Sequence, residues 1–299
     1  MKGTSHKRHK RQIFCAFCVS LLCLLCTFLF PFSEAEAGIQ RGGRTDWNLK
    51  APWGSTRQDA TRNPRTPFKI FDNVYYVGLE TVCAYLVTTS TGLVLIDATY
   101  ADTADAVLNS VRMLGFDPAN IKYIFITHSH TDHLGGAAKI KQVSGAPVGM
   151  SAEDWAVTNR PAIEKELVLK DGQTIKVGDT AFEFYVTPGH TPGATSIAFQ
   201  VRDRGKVYRA LTPGGLGMQF GPAETPTFLK SMERLKQLGP WDVMLSNHPW
   251  LMPRSLDDIQ KSLARPATGT HPAVLGSAKI NEWLDAVINV TRQKLAAGQ

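Results

Sequence analysis

Cysteine is scarce once the first 37 residues are set aside. Of five cysteines in the chain, Cys15, Cys18, Cys23 and Cys26 fall in that leading stretch and only Cys83 lies beyond it. No internal disulfide can form within residues 38–299. Cys83 sits in the apolar run 82–87 and is expected to be a buried structural thiol. Long runs of lysine and arginine with interleaved aromatics are also missing, so a nucleic-acid partner is not expected. The formal charge is +7 over 299 residues, and it falls to +4 when the leading stretch is removed. After residue 68 no Pro/Ser/Gly-rich linker interrupts the alternation of strands and helices, which predicts one domain over 68–299.

The leading stretch reads as a targeting segment. Lys2, Lys7, Arg8, Lys10 and Arg11 form a basic start, residues 13–32 are almost wholly apolar, and Ala35-Glu36-Ala37 offers a small-residue cleavage site before Gly38. Residues 1–37 are therefore expected to be a signal peptide, and the protein to be exported to the periplasm or secreted, with no stable membrane association after cleavage. The apolar run is also long enough for the alternative of a retained anchor. Residues 38–67 are rich in Arg, Gly, Pro and Asn and predict an irregular N-terminal arm. Its Trp47 and Trp53 would either pin the arm to the domain or line a substrate cleft.

What the chain does contain is a concentration of histidine. Two of its eight histidines, His6 and His9, lie in the targeting segment; three of the other six fall within Thr127-His128-Ser129-His130-Thr131-Asp132-His133. This stretch follows a predicted buried strand at 121–126 and precedes a predicted helix at 137–143, opened by Gly135 and Gly136. Three imidazoles and a carboxylate on such a loop can wrap metal ions from several directions. Their spacing suits two ions better than one. His190, in Thr187-Pro188-Gly189-His190-Thr191-Pro192-Gly193, and His248, in Ser246-Asn247-His248-Pro249, likewise follow short apolar strands.

The H-x-H-x-D-H loop, the T-P-G-H-T-P-G segment and the late N-H-P resemble the metallo-β-lactamase superfamily over about residues 68–254, and most closely its class B, subclass 3 β-lactamases. The stretch from Pro67 to Gly78 is similar to that subclass as well. The resemblance implies an α/β fold, a four-layer αβ/βα sandwich with metals at one edge between two sheets. It also implies two Zn2+ ions per chain, the first held by His128, His130 and His190 and the second by Asp132, His133 and His248. Asp132 would be the catalytic carboxylate, and a zinc-bound hydroxide would open the β-lactam ring of a small-molecule substrate.

Related branches hydrolysing lactones or thioesters usually carry an aspartate after the strand that ends here in Arg209-Ala210-Leu211, and another lactamase subclass carries a cysteine nearby. This chain has Leu211-Thr212-Pro213-Gly214, which favours subclass 3. The resemblance puts Thr212 near a hydroxyl residue that supports the second zinc, and Gly214 where a serine often helps to bind the substrate carboxylate. A second reading is an exported metallo-hydrolase of lactones, esters or thioesters; a third is a non-catalytic zinc-binding protein.

Four further positions carry expectations. Asp97 ends the predicted strand 93–96, where a carboxylate can accept the free ring N–H of a ligating histidine rather than cap the helix predicted near 102–114. Trp155 lies in a short helical or looped piece, with a shortened connection to Leu167 beside the substrate wall. The final helix carries Ile280, Trp283, Leu284, Val287 and Ile288 at helical spacing, a core-packing face. His271 matches no motif and is expected in an exposed loop.

Overall fold

The protein was obtained as a computed structural model that describes residues 62–299 except 159–162, 164, 219 and 265–268. The targeting segment and most of the arm, including Trp47 and Trp53, lie outside the described residues.

Seven strands form the first sheet: β1 (Phe68–Phe71), β2 (Val74–Tyr76), β3 (Tyr85–Thr89), β4 (Gly92–Ile96), β5 (Ile121–Phe125), β6 (Val148–Ser151) and β7 (Leu167–Leu169), side by side in chain order. The first four pair antiparallel, with tight turns between β1 and β2 and between β3 and β4. From β4 to β7 the pairing is parallel, because each connection must return to the starting end. The return paths carry α1 (Ala104–Met113), then the single turn α2 (Thr131–Leu134) with α3 (Ala137–Ser144), then α4 (Ala152–Val157).

The second sheet holds β8 (Thr174–Val177), β9 (Thr180–Val186), β10 (Thr195–Asp203), β11 (Lys206–Thr212) and β12 (Val243–Met244), in the order β12-β11-β10-β9-β8. Between β10 and β11, Arg204 and Gly205 have φ of 49° and 79°. Two successive positive φ values make the tight turn whose twist matches an antiparallel hairpin. Three helices follow or flank this sheet: α5 (Thr225–Leu238), α6 (Leu256–Leu263) and α7 (Ser277–Ala296).

Alternation along the strands builds the layers. Tyr85, Val87, Val94, Ile96 and Phe125 face the second sheet and pack with Phe182, Phe184 and Ile197. The Phe125 ring lies 4.8 Å from that of Phe184 and 5.5 Å from that of Phe182. The intervening residues Leu86, Leu93, Leu95 and Ile124 turn the other way, onto Val107, Leu108 and Val111 of α1 and Ile140 of α3. A strand buried on both faces reads as an unbroken apolar run, as β4 does. Phe228, Met232 and Leu235 of α5 pack with Ile280, Trp283, Leu284 and Val287 of α7 in the same cluster as the second sheet. The result is the helix–sheet–sheet–helix sandwich expected.

Two features depart from the sequence reading. Helix α6 was not foreseen; the Ser255 hydroxyl caps it by accepting from the Asp258 amide, and Leu256 and Ile259 bury beside β1. His271 is not exposed. Its ring stacks on Phe71 with centroids 4.0 Å apart, and Nε2 donates to the Ile70 carbonyl at 2.6 Å while Nδ1 accepts from the Ala273 amide. A polar ring whose two nitrogens are both satisfied can be buried without penalty, so the surrounding Thr-His-Pro turn closes over β1.

Candidate metal centre

Because β4, β5 and β6 run parallel, their carboxyl ends share one edge of the sheet, the usual place for a site in such folds. The register Ile96↔Phe125↔Gly149 puts the residues just beyond each strand side by side. Asp97 follows β4, the histidine loop follows β5, and α4 follows β6. From the second sheet, the β9–β10 loop brings His190 to this edge and the chain after β12 brings His248. Bonds across the edge hold the two sets together. The Thr195 amide donates to the Thr127 carbonyl at 2.8 Å, the Cys83 amide donates to the Asn247 carbonyl at 2.9 Å, and the Tyr85 hydroxyl donates to the Ser246 carbonyl at 2.6 Å.

Six side chains converge there in two groups, His128 with His130 and His190, and Asp132 with His133 and His248; within each group the ligand atoms lie within 4.8 Å of one another. The groups adjoin, with the His128 and His133 rings 4.2 Å apart. The division matches the one implied by the resemblance.

Hydrogen bonding settles which ring nitrogen faces inward. His190 Nδ1 donates to the Gly217 carbonyl at 2.6 Å, His248 Nδ1 to the Thr81 carbonyl at 2.8 Å, and His133 Nδ1 to the Asp97 carboxylate at 2.9 Å. These acceptors have no proton to give, so the proton is on Nδ1 in each case. His128 follows by one more step. The Thr127 hydroxyl donates to Asp97 Oδ2 at 2.9 Å and therefore accepts from His128 Nδ1 at 3.1 Å. Four rings are thus oriented with Nε2 toward the centre, the arrangement that partners of ligating histidines produce.

Buried polar atoms without a partner are rare in folded proteins. His128 Nε2 is in that condition, and His133 Nε2 has only Asp132 Oδ2, 3.3 Å away. Nitrogen and carboxylate donors, three to a group, fit a divalent ion that would satisfy the orphaned atoms and leave a coordination position open.

Electrostatics divides the two groups. Burial, reinforced by the neighbouring imidazoles, pushes His128 well below its ordinary value and His190 down to about 3. Burial also lowers His130, and burial with His133 nearby lowers His248. All four are neutral near pH 7, the form that can ligate. His133 behaves oppositely: burial opposes its charge, but Asp132 and Asp97 outweigh burial and raise it to about 10. For Asp132, burial favours the neutral acid, yet His133 and His248 prevail and hold the carboxyl far below its usual range.

The remaining expected positions fall out differently. Asp97 is buried, with a φ of 59°, and accepts from the Thr127 amide, the Thr127 hydroxyl and His133. It orients ligands as expected and caps no helix. Thr212 ends β11 with its hydroxyl unpartnered. Gly214 packs closely on β10: a side chain there would meet the Thr195 amide nitrogen at 2.6 Å, and its own amide donates to Ser196. Trp155 is only 6% exposed; it packs in the outer apolar layer and donates to the Leu167 carbonyl. It is core rather than substrate wall, because α4 turns its apolar face onto the sheet. Asp154, beside it, was missed. It is fully buried and bound to both histidine-bearing loops. The only trace in the sequence is a Ser151-x-x-Asp154 helix start, which by itself says nothing of a partner.

Residues 77–204 match the family model for the metallo-beta-lactamase superfamily. The chain contains a metallo-β-lactamase superfamily domain. Solved structures similar to it include BJP-1, a subclass B3 metallo-β-lactamase of Bradyrhizobium japonicum, at 25% identity and a TM-score of 0.72, covering 81% of this chain and 98% of that one. Native FEZ-1 from Legionella gormanii is similar at 26% identity and a TM-score of 0.69, covering 79% of this chain and 97% of the other. Among curated sequences, the hydroxyacylglutathione hydrolase of Acidiphilium cryptum is 30% identical over 159 residues, 51% of this chain and 60% of that protein. Its counterpart from Pseudomonas aeruginosa strain LESB58 is 39% identical over 70 residues, 23% and 25% of the two. The matches therefore span little more than half of the first of these relatives and a quarter of the second.

Proposed function

We propose that this protein is an exported, zinc-dependent hydrolase that opens β-lactam rings. His128, His130 and His190 would hold one ion and Asp132, His133 and His248 the other. Zinc in such a site lowers the pKa of bound water to about 7 and so supplies a nucleophile at neutral pH. Asp97 keeps the His133 ring turned inward, and Asp132, ionised at neutral pH, is the acceptor available to orient a proton beside the second ion. The observation that carries the β-lactam reading is the end of β11. Thr212 stands there with an unpartnered hydroxyl, where lactone- and thioester-cleaving branches usually place a bridging aspartate. Structural similarity to subclass B3 enzymes along nearly their whole length supports the same choice. Export rests on the basic, apolar and A-x-A pattern of residues 1–37; a mature chain beginning at Gly38, seen by mass measurement of envelope protein, would support it.

The curated relatives favour a second reading, hydrolysis of a glutathione thioester. Purified protein assayed on a penicillin, a cephalosporin, a carbapenem, an acyl-lactone and an S-acylglutathione, with and without chelator, decides between them. Chelator-sensitive β-lactam turnover is expected. Thioester or lactone turnover without it would overturn the proposal, and zinc binding with no turnover at all would mark a non-catalytic protein.

Asp132→Asn provides the internal test. An amide lacks the carboxylate's negative charge, so it holds the second ion and orients a proton beside it less well, and kcat should fall by at least ~10²-fold, the scale of general acid–base contributions. Zinc content should fall toward one ion while circular dichroism stays unchanged. Wild-type turnover by the variant would remove Asp132 from the reaction.

A further inference from the structure

We propose that Asp154 is a positioning residue for the three-histidine cluster, clamping the two loops that carry His128, His130 and His190 into ligating register. The inference rests on reading that cluster as a metal site.

Asp154 belongs to the first turn of α4, which starts directly from the carboxyl end of β6. Its own backbone is fixed there, since its amide donates to the Ser151 side chain at 3.2 Å. From this anchored position Oδ2 accepts from the Ser129 amide at 2.8 Å and from the Thr191 hydroxyl at 2.8 Å, and Oδ1 accepts from the Gly193 amide at 2.7 Å. Ser129 lies between the ligands His128 and His130, while Thr191 and Gly193 follow the ligand His190. One carboxylate therefore spans the β5 loop of the first sheet and the β9–β10 loop of the second.

Close approach is built in on the far side as well. A side chain at Gly193 would meet the Asp154 amide nitrogen at 2.6 Å and Oδ1 at 3.0 Å. The carboxylate is fully buried, so it touches no substrate and acts only through the histidine loops. None of its three bonds reaches Asp132, His133 or His248, and two of the three fall beside His190, so its influence is greatest on one cluster.

Three donors converge on two oxygens, which leaves no place for an amide N–H2. In Asp154→Asn the new donor must face either the Gly193 amide or the Ser129–Thr191 pair. At least one buried donor then loses its acceptor and one loop is released. The test uses the full-length chain, stripped of metal and titrated with Zn2+ alone, in two backgrounds. With His248→Ala, only the three-histidine cluster is complete; with His190→Ala, only the other cluster is.

Asp154→Asn should weaken Zn2+ binding about 10- to 100-fold in the His248→Ala background, the range seen when partners of ligating residues are lost. In the His190→Ala background affinity should change far less. Equal weakening in both, the signature of a general loss of structure, would overturn the proposal, as would no change in the first. Should Asp154→Asn fail to fold by circular dichroism, Thr191→Val decides the same comparison. It removes one of the three bonds and should give a smaller loss confined to the His248→Ala background; no loss there would overturn the proposal. If the His248→Ala chain binds no zinc even with Asp154 intact, the metal-site reading itself fails, a result distinct from a failure of the clamp.

Discussion

Asp97 reaches both ligand clusters, His133 directly and His128 through the Thr127 hydroxyl. Replacing it with Asn puts an N–H2 group among three donors. Zinc affinity of the Asp132, His133 and His248 group should drop by about 10- to 100-fold, with a lesser drop at the other group, both readable by zinc titration. Cys83 offers a test of burial. Desolvation raises its thiol from an ordinary 9 to about 12, against smaller opposing contributions from the Tyr85 and Tyr76 hydroxyls. Below pH 9 the thiol is protonated in the folded and unfolded chains alike, and its contribution to stability is whole. Between pH 9 and 12 only the folded chain keeps the proton, so the contribution is lost as pH rises. Urea unfolding from pH 8 to 11 should therefore show a steeper loss for the natural chain than for Cys83→Ala. The histidine loop was legible from residue type and spacing, its grouping with His190 and His248 from the resemblance, and the burial of Cys83 from its apolar neighbours. Asp154 and the burial of His271 were not, because both depend on partners 25 to 39 and 201 residues away.

At the scale of elements, the strands expected at 93–96 and 121–126 match β4 and β5 to within a residue, because alternation and apolar runs are local signals. The layering of α1 and α3 on one face and the second sheet on the other follows from the same alternation. What escaped was irregular chain: the 212–218 segment contains three glycines and predicts no more than a loop. In the fold it lies against a ligand. Gly217 supplies the carbonyl that orients His190, and a side chain on Gly215 would come within 2.7 Å of the His190 ring at Cγ. Gly215→Ala must displace either the ring or the backbone, so the three-histidine group should lose zinc affinity while the other group keeps its own. Zinc titration of the two single-cluster backgrounds reads this directly; equal affinity in Gly215→Ala and the natural chain would show that the segment yields freely. Gly214, singled out from the sequence for its missing side chain, is needed instead for contact with Thr195.

Over the whole molecule, the six candidate ligands come from positions 128 to 248, and each cluster combines residues from both sheets. His128 and His130 follow β5 of the first sheet while His190 follows β9 of the second; Asp132 and His133 belong to the first and His248 to the second. An ion in either cluster therefore acts as a clasp across the open edge of the sandwich, and parting the sheets means discharging it. Such linkage contributes about 4 kcal/mol when free metal stands at 1,000 times Kd. Melting followed by circular dichroism should show a transition several degrees lower after chelator treatment, restored by added Zn2+; identical transitions would mean that the clusters close without metal. Since no ligand set is complete until both sheets have come together, metal cannot template the early chain. Any ion bound there would arrive late and then retard escape, so resistance to proteolysis would depend on how fast the metal leaves as well as on the packing between the sheets.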